Sequence, residues 1–287
     1  MGYYRKVFLF CLVLLLVVVL SGCSDLFGTV PEDMNKDINE DTNGWTLVWS
    51  EEFDQDEIDL STWNFEIGNG HAEGIPGWGN NELEYYTAGD NAEIIDGKLV
   101  ITARKENRRD EYGTYNYTSS RMTTEGKYEV EYGKIEVRAK LPEGQGIWPA
   151  IWMLGNDIGE VGWPACGEID IMELLGHQPS IVYGTVHMPG TSKGSSYSLS
   201  SGKFSDAFHV FAIEWDKDKI EWYVDGQLYH VFNKNEIPDS SWVFDHPFFL
   251  ILNIAVGGNW PGYPDETTIF PQTMEVDYIR VYENIKP

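Results

Sequence analysis

Residues 168–173 read Glu-Ile-Asp-Ile-Met-Glu, three carboxylates within one short apolar segment. Acids are poor strand formers, and a buried charge is costly unless it is paired or used. In a regular strand, residues two apart share a face, so Glu168 and Asp170 point together. Glu173 has the opposite parity. One extra residue in a β-bulge, most simply at Met172, puts all three acids on one face. Two carboxylates turned to one groove with a third between them is the apparatus of a retaining glycosidase. A merely solvated polar face does not account for the aromatic flanks, which are Trp148, Trp152 and Trp163 upstream and His187 downstream.

The remaining chain reads as strands. Lys98 to Arg104 follows the turn signal Asp96-Gly97, and Phe208–Trp215 and Ile220–Val224 flank the hairpin Asp216-Lys217-Asp218-Lys219. Asp225-Gly226 leads to a further strand, Gln227–Phe232, and Glu275–Tyr282 is the last. Phe248–Val256 is a continuous apolar run, as expected of a strand covered on both faces. Apolar residues fall at 128, 130 and 132 and then at 135, 137, 139 and 141, so the alternation changes parity at Gly133, where a bulge or tight bend is expected. No segment sustains helical periodicity. Many short strands separated by turns predict an all-β fold, a sandwich or jelly roll of two antiparallel sheets.

Composition narrows the partners. The chain carries 11 Trp and 16 Tyr, and flat aromatic faces suit the C–H faces of sugar rings. Trp215 and Trp222 sit in hairpin strands and are expected in the core. A net charge of −26 opposes nucleic acid and anionic lipid headgroups and favours a neutral substrate.

At the N-terminus, Arg5 and Lys6 precede an apolar run from Val7 to Leu20, the pattern of a secretory signal. Leu20-Ser21-Gly22-Cys23 resembles a bacterial lipobox, which implies removal of residues 1–22 and a lipid on Cys23. The expected product is a membrane-anchored lipoprotein outside the cytoplasm, at the cell surface or in the periplasm. Residues 23–44 are acidic and poor in apolar side chains, the composition of a flexible tether. One catalytic domain, 45–287, follows. Cys166 is the third cysteine; once Cys11 is removed with the signal and Cys23 is lipidated, it has no disulfide partner and reads as a small buried hydrophobe.

The segment Glu168-Ile169-Asp170-Ile171-Met172-Glu173 resembles the signature of family 16 glycoside hydrolases, in the form with an extra residue before the last Glu that marks the laminarinase (endo-1,3-β-glucanase) branch. Trp78-Gly79-Asn80-Asn81-Glu82-Leu83, Trp148 to Leu154, and Asn253 through Trp260-Pro261-Gly262 also look like that branch. The resemblance covers residues 45–283. It implies a β-jelly roll whose concave sheet forms an open cleft, and endo-acting retaining hydrolysis of a laminarin-like β-1,3-glucan. It further implies Glu168 as nucleophile, Glu173 as acid/base and Asp170 between them.

Retaining hydrolysis needs two carboxyls about 5–5.5 Å apart, one ionised and one protonated, and carboxyls that close cannot ionise equally. His187, one strand later, is expected beside Asp170 or Glu173. Trp148, Trp152 and Trp163 are candidates for sugar stacking. Asn80 and Arg121, with Glu82 as a further candidate, resemble positions that hydrogen-bond sugar hydroxyls. The chemistry needs no cofactor. The resemblance also implies a structural Ca2+ at Glu52, Gly97 and Asp277, and oxygen donors scattered in sequence suit that ion. The protein is expected to act as a monomer.

Two other readings compete. A relative of the same fold could act on mixed-linkage β-1,3-1,4-glucan or a galactan, and its cleft loops would decide this. A glucan-binding protein without activity would lack the acids that Glu168, Asp170 and Glu173 supply here.

Overall fold

The structure is a computed structural model, which describes residues 40–41 and 44–284. Among these residues the strands form two large antiparallel sheets and two small two-stranded ones. The eight-stranded sheet runs Thr191–Ser198, Ile181–Met188, Glu168–Leu174, Ile147–Gly155, Phe248–Val256, Arg121–Thr123, Asn64–Glu66, with Glu129–Val130 added beside Phe248–Val256. The nine-stranded sheet runs Glu40–Asp41, Trp45–Glu51, Gln272–Asn284, Gly133–Lys140, His209–Trp215, Lys219–Val224, Gln227–Asn233; Leu99–Ala103 pairs with Gln272–Asn284 and carries Ala92–Ile94. This is the jelly-roll sandwich expected from the strand pattern.

Alternation decides which side chains enter the space between the sheets. In Gly133–Lys140, Ile135, Val137 and Ala139 are buried while Lys134, Glu136, Arg138 and Lys140 face outward. Phe248–Val256 is buried at all nine positions. It lies between Ile147–Gly155 and Arg121–Thr123, so both its edges and its inner face are covered. Trp215 and Trp222 are core residues, as expected from their hairpin strands.

The parity change at Gly133 is neither a bulge nor a bend within one strand. Glu129–Val130 pairs with Phe248–Val256 in the eight-stranded sheet, whereas Gly133–Lys140 pairs with strands of the other sheet. The chain crosses between sheets at Tyr132 (φ 65°) and Gly133 (φ 122°). A Cβ at residue 133 would lie 2.5 Å from the Tyr282 carbonyl oxygen, so glycine is required there.

Two residues at the end of the expected tether, residues 23–44, are described in a strand. Glu40 and Asp41 pair with Thr46 and Trp45, because a strand edge offers free backbone groups to the segment that precedes it. Cys23 and residues 1–22 lie outside the described residues.

Candidate active site

The acid-bearing strand, Glu168–Leu174, sits between Ile147–Gly155 and Ile181–Met188. Against the first, Ile151 is opposite Met172 and Trp152 is opposite Asp170, which leaves Ile171 unmatched. Against the second, Asp170 pairs with Thr185 and Glu173 with Tyr183, so Gly184 alone spans Ile171 and Met172. The bulge therefore comprises both residues rather than Met172 alone. Ile169, Ile171 and Met172 all enter the core. Glu168, Asp170 and Glu173 consequently share the opposite face.

Trp222 supports this strand from the other sheet. Its indole N–H donates to the Asp170 carbonyl at 2.8 Å across the core. The approach needs a glycine at 184, where a Cβ would stand 2.4 Å from Trp222 Cδ1 and 2.5 Å from the Tyr229 hydroxyl.

Each glutamate is held by its own tryptophan. Trp163 Nε1 donates to Glu168 Oε2 at 2.8 Å, and Trp148 Nε1 donates to Glu173 Oε1 at 3.0 Å. His187 Nε2 lies 3.3 Å from Asp170 Oδ2 and 3.5 Å from Glu168 Oε1. Of the two expected neighbours, Asp170 and Glu173, it lies beside Asp170, and Glu168 is a further one. Trp163 is 58% exposed, and its ring meets that of His187 at a tilt, 6.0 Å between centroids. Trp260 stands edge-on to both Trp148 and Tyr183, at 5.6 and 5.0 Å.

The three acids differ in how they hold a proton. Burial drives the Glu173 carboxyl well above the usual carboxylate range, and the charges of Asp170 and Glu168 add to this. Burial drives Asp170 well up too, reinforced by the charge of Glu168 and a hydrogen bond with it. Burial also raises Glu168, but His187, the Trp163 N–H and Arg121 oppose that rise. Glu168 is therefore the acid that ionises most readily, with protons retained on Glu173 and Asp170. Glu168, Asp170 and His187 also place ligand-type atoms within 4.8 Å of one another.

Several of the expected sugar-binding residues connect across the neighbouring strands and the loop from Trp78 to Glu82. The Arg121 guanidinium is stacked between Trp78 and Trp152, 4.4 and 4.8 Å from their ring centroids, and is ion-paired with Glu66. Trp152 Nε1 donates to Asn253 Oδ1 at 2.8 Å. Asn80 Nδ2 donates to Glu82 Oε1 at 3.1 Å. Arg121 and Glu82 are buried, at 9% and 7% exposure, while Trp148 and Trp152 are half-buried. Sequence reasoning missed Glu66, Glu84, Tyr86, Asn253 and Trp260 as individual participants. Glu84 carried a usable signal, since Glu82 and Glu84 repeat the two-residue acid spacing of Glu168 and Asp170.

The residues expected to hold calcium converge by register. Gln272–Asn284 pairs with Leu99–Ala103 up to Val276 and with Trp45–Glu51 from Ile279 onward, so Glu52 and Gly97 both border the changeover at Asp277. The side chains are otherwise engaged: Glu52 makes a two-point ion pair with Arg280 at 2.8 and 2.9 Å, and Asp277 pairs with Arg138. An ion there would depend on backbone carbonyls or on displacing an arginine. Cys166 is buried as expected, and burial pushes its thiol up to about 11.

Comparison with known proteins agrees with this geometry. Residues 79–280 match the model of glycosyl hydrolases family 16. A β-glucanase from Rhodothermus marinus is 43% identical over 284 residues, covering 93% of this chain and 92% of the relative. The crystal structure of the laminarinase catalytic domain of Thermotoga maritima is 68% identical, covering 84% of this chain and 99% of that one, with a TM-score of 0.82. The endo-β-1,3-glucanase of Pyrococcus furiosus is 54% identical over 85% of this chain and 96% of its own, with a TM-score of 0.83.

Proposed function

The chain belongs to glycosyl hydrolases family 16, and from that premise we propose that it is an endo-acting, retaining β-1,3-glucanase that cleaves laminarin-like glucan by double displacement. The observation that carries this reading is the bulged strand with two glutamates on one face, each held by its own indole N–H. The identities of its relatives support the substrate.

Glu168, the acid that ionises most readily, attacks the anomeric carbon. Glu173 gives its proton to the departing glycosidic oxygen. The result is a glycosyl ester on Glu168, a neutral alcohol and an ionised Glu173. Water then attacks the anomeric carbon of that ester and passes a proton to Glu173, which frees Glu168 as a carboxylate. Asp170 keeps its proton on the hydrogen bond to Glu168 and orients the nucleophile. His187 faces both acids and stabilises the charge they share. Trp148, Trp152 and Trp163 offer ring faces to the sugars.

NMR of the first products tests the mechanism: a β-anomer is expected, and an initial α-anomer rules out the two-step route. Laminarin should be cleaved faster than lichenan at equal mass concentration; the reverse would make this a mixed-linkage enzyme. Glu168→Ala should abolish turnover, whereas Glu173→Ala should spare substrates with a good leaving group and be partly rescued by azide as a β-glycosyl azide.

Two further proposals accompany this one. Cys23 carries lipid and anchors a monomeric enzyme outside the cytoplasm, a reading supported by the Leu20–Cys23 motif; Cys23→Ser should abolish incorporation of labelled fatty acid. Glu52, Gly97 and Asp277 flank a structural calcium; thermal unfolding identical in excess calcium and in chelator would remove it.

A further inference from the structure

Glu82 and Glu84 form a second buried carboxyl pair, which the proposed mechanism does not use. They alternate along the segment Glu82–Tyr86 and so, with Tyr86, share one face. Glu84 is fully buried, and its Oε2 accepts the Val256 N–H at 2.6 Å. Its Oε1 is buried, and among the described residues no N–H or O–H is directed at it. Burial, followed by the charge and closeness of Glu82, drives Glu84 well above the usual carboxylate range. A fully buried carboxyl with an unpartnered oxygen next to a second acid keeps its proton, so the pair holds one. Glu84, backed only by a backbone N–H, is the member that carries it. Glu82 accepts from Asn80 and from the Tyr86 hydroxyl, at 3.1 and 3.2 Å, and feels the Arg121 charge.

The pair connects to the substrate face through an unbroken chain. Tyr86 donates to Glu82 Oε2 and accepts from Asn253 Nδ2 at 3.0 Å; Asn253 Oδ1 in turn accepts the Trp152 indole N–H at 2.8 Å. Each member's orientation is set by the one before it: an ionised Glu82 requires Tyr86 to donate, which leaves the tyrosine oxygen to accept from the Asn253 amide and turns the Asn253 carbonyl toward Trp152. The charged and titratable groups around the pair are Arg121, Tyr86 and, beyond Arg121, Glu66.

We propose that the buried Glu82–Glu84 pair is a positioning device that sets the orientation of Asn80 directly and of Trp152 through Tyr86 and Asn253, and so governs how tightly the enzyme holds its glucan. The proposal rests on the glucanase reading. Removing the shared proton at alkaline pH puts two negative charges in one buried site, and the pair must separate or draw in water. Because the pair does not touch the reacting atoms, the effect falls on KM rather than kcat.

Glu84→Gln is the discriminating variant. Its amide oxygen can accept from Val256 while its NH2 donates to Glu82, which reproduces the protonated acid at every pH. Steady-state kinetics on laminarin from about pH 5 to about pH 9 should show the KM of the unaltered enzyme rising at the alkaline end. Glu84→Gln should hold KM flat there, and Glu84→Ala should raise it roughly fivefold at all pH with kcat much less affected. Identical KM–pH curves for the unaltered enzyme and Glu84→Gln would overturn the proposal, as would loss in kcat alone. If Glu84→Ala does not fold, the glutamine comparison decides by itself. Chemical denaturation provides a readout free of substrate: the unaltered protein should lose stability with rising pH more steeply than Glu84→Gln. Equal slopes sink the shared proton, whereas failure to cleave any β-glucan sinks only the glucanase reading.

Discussion

Trp163 donates its indole N–H to Glu168 at 2.8 Å while keeping 58% of its own surface exposed. The residue that steadies Glu168, the proposed nucleophile, is thus itself open to solvent. Trp148 does the same for Glu173 from a half-buried position. Two tryptophans on different elements tune the two acids separately.

Trp163→Phe keeps a ring face but removes the N–H from Glu168. A hydrogen bond to a charged group contributes about 1.5–3 kcal/mol, and exposure puts this one at the lower end. We expect kcat/KM on laminarin to fall about tenfold, with the melting temperature nearly unchanged. The N–H lowers the Glu168 pKa, so its loss should move the acid limb of the kcat/KM profile to higher pH. An unmoved acid limb would show that Glu168 does not set it.

Trp148→Phe should move the other limb. In the proposed mechanism Glu173 must be protonated to act, so activity is expected to fall as pH rises through its raised pKa. The Trp148 N–H holds that pKa down, so removing it carries the alkaline limb upward. A profile in which Trp148→Phe shifts only the acid limb would reverse the two glutamate roles.

Gly184→Ala should damage the site from behind. The added methyl would overlap Trp222, which holds the Asp170 carbonyl. Overpacking of this kind costs about 1–3 kcal/mol, and the displaced strand carries the acids with it. Both stability and kcat should fall; full activity in Gly184→Ala would mean that the bulge tolerates a shift of Trp222.

The buried acids predict how stability varies with pH. Glu84, Asp170 and Glu173 are all raised well above the ordinary range by burial. Their folded pKa values exceed their unfolded ones, so the stability they contribute is complete below the unfolded value of about 4 and is lost as pH rises through the raised values. Each contributes a slope of up to about 1.4 kcal/mol per pH unit within its window. Denaturation of Asp170→Asn across that range should give a shallower decline than the unaltered protein.

The acid strand was legible because its chemistry conflicts with its setting. Three carboxylates among aliphatic residues have no structural use, and their parity demanded a bulge. The sequence could not decide between Ile171 and Met172, because a bulge is defined against two partner strands: one leaves only Ile171 unmatched and the other leaves both. The break at Gly133 was equally visible, yet a parity change reads the same whether the strand kinks or leaves for another sheet.

By itself the sequence determined the all-β class, the core-facing residues of most strands and the three acids, since these follow from two-residue alternation and the cost of misplaced charge. Tertiary structure decided which tryptophan holds which glutamate, that Arg121 is enclosed between Trp78 and Trp152, and that Glu84 pairs with Glu82 beneath Asn253. Those relationships join residues as far as 167 positions apart, as in the Tyr86–Asn253 hydrogen bond. Local pattern records which face a side chain takes; only the packing of one sheet against another, and of loops over both, determines what it meets there.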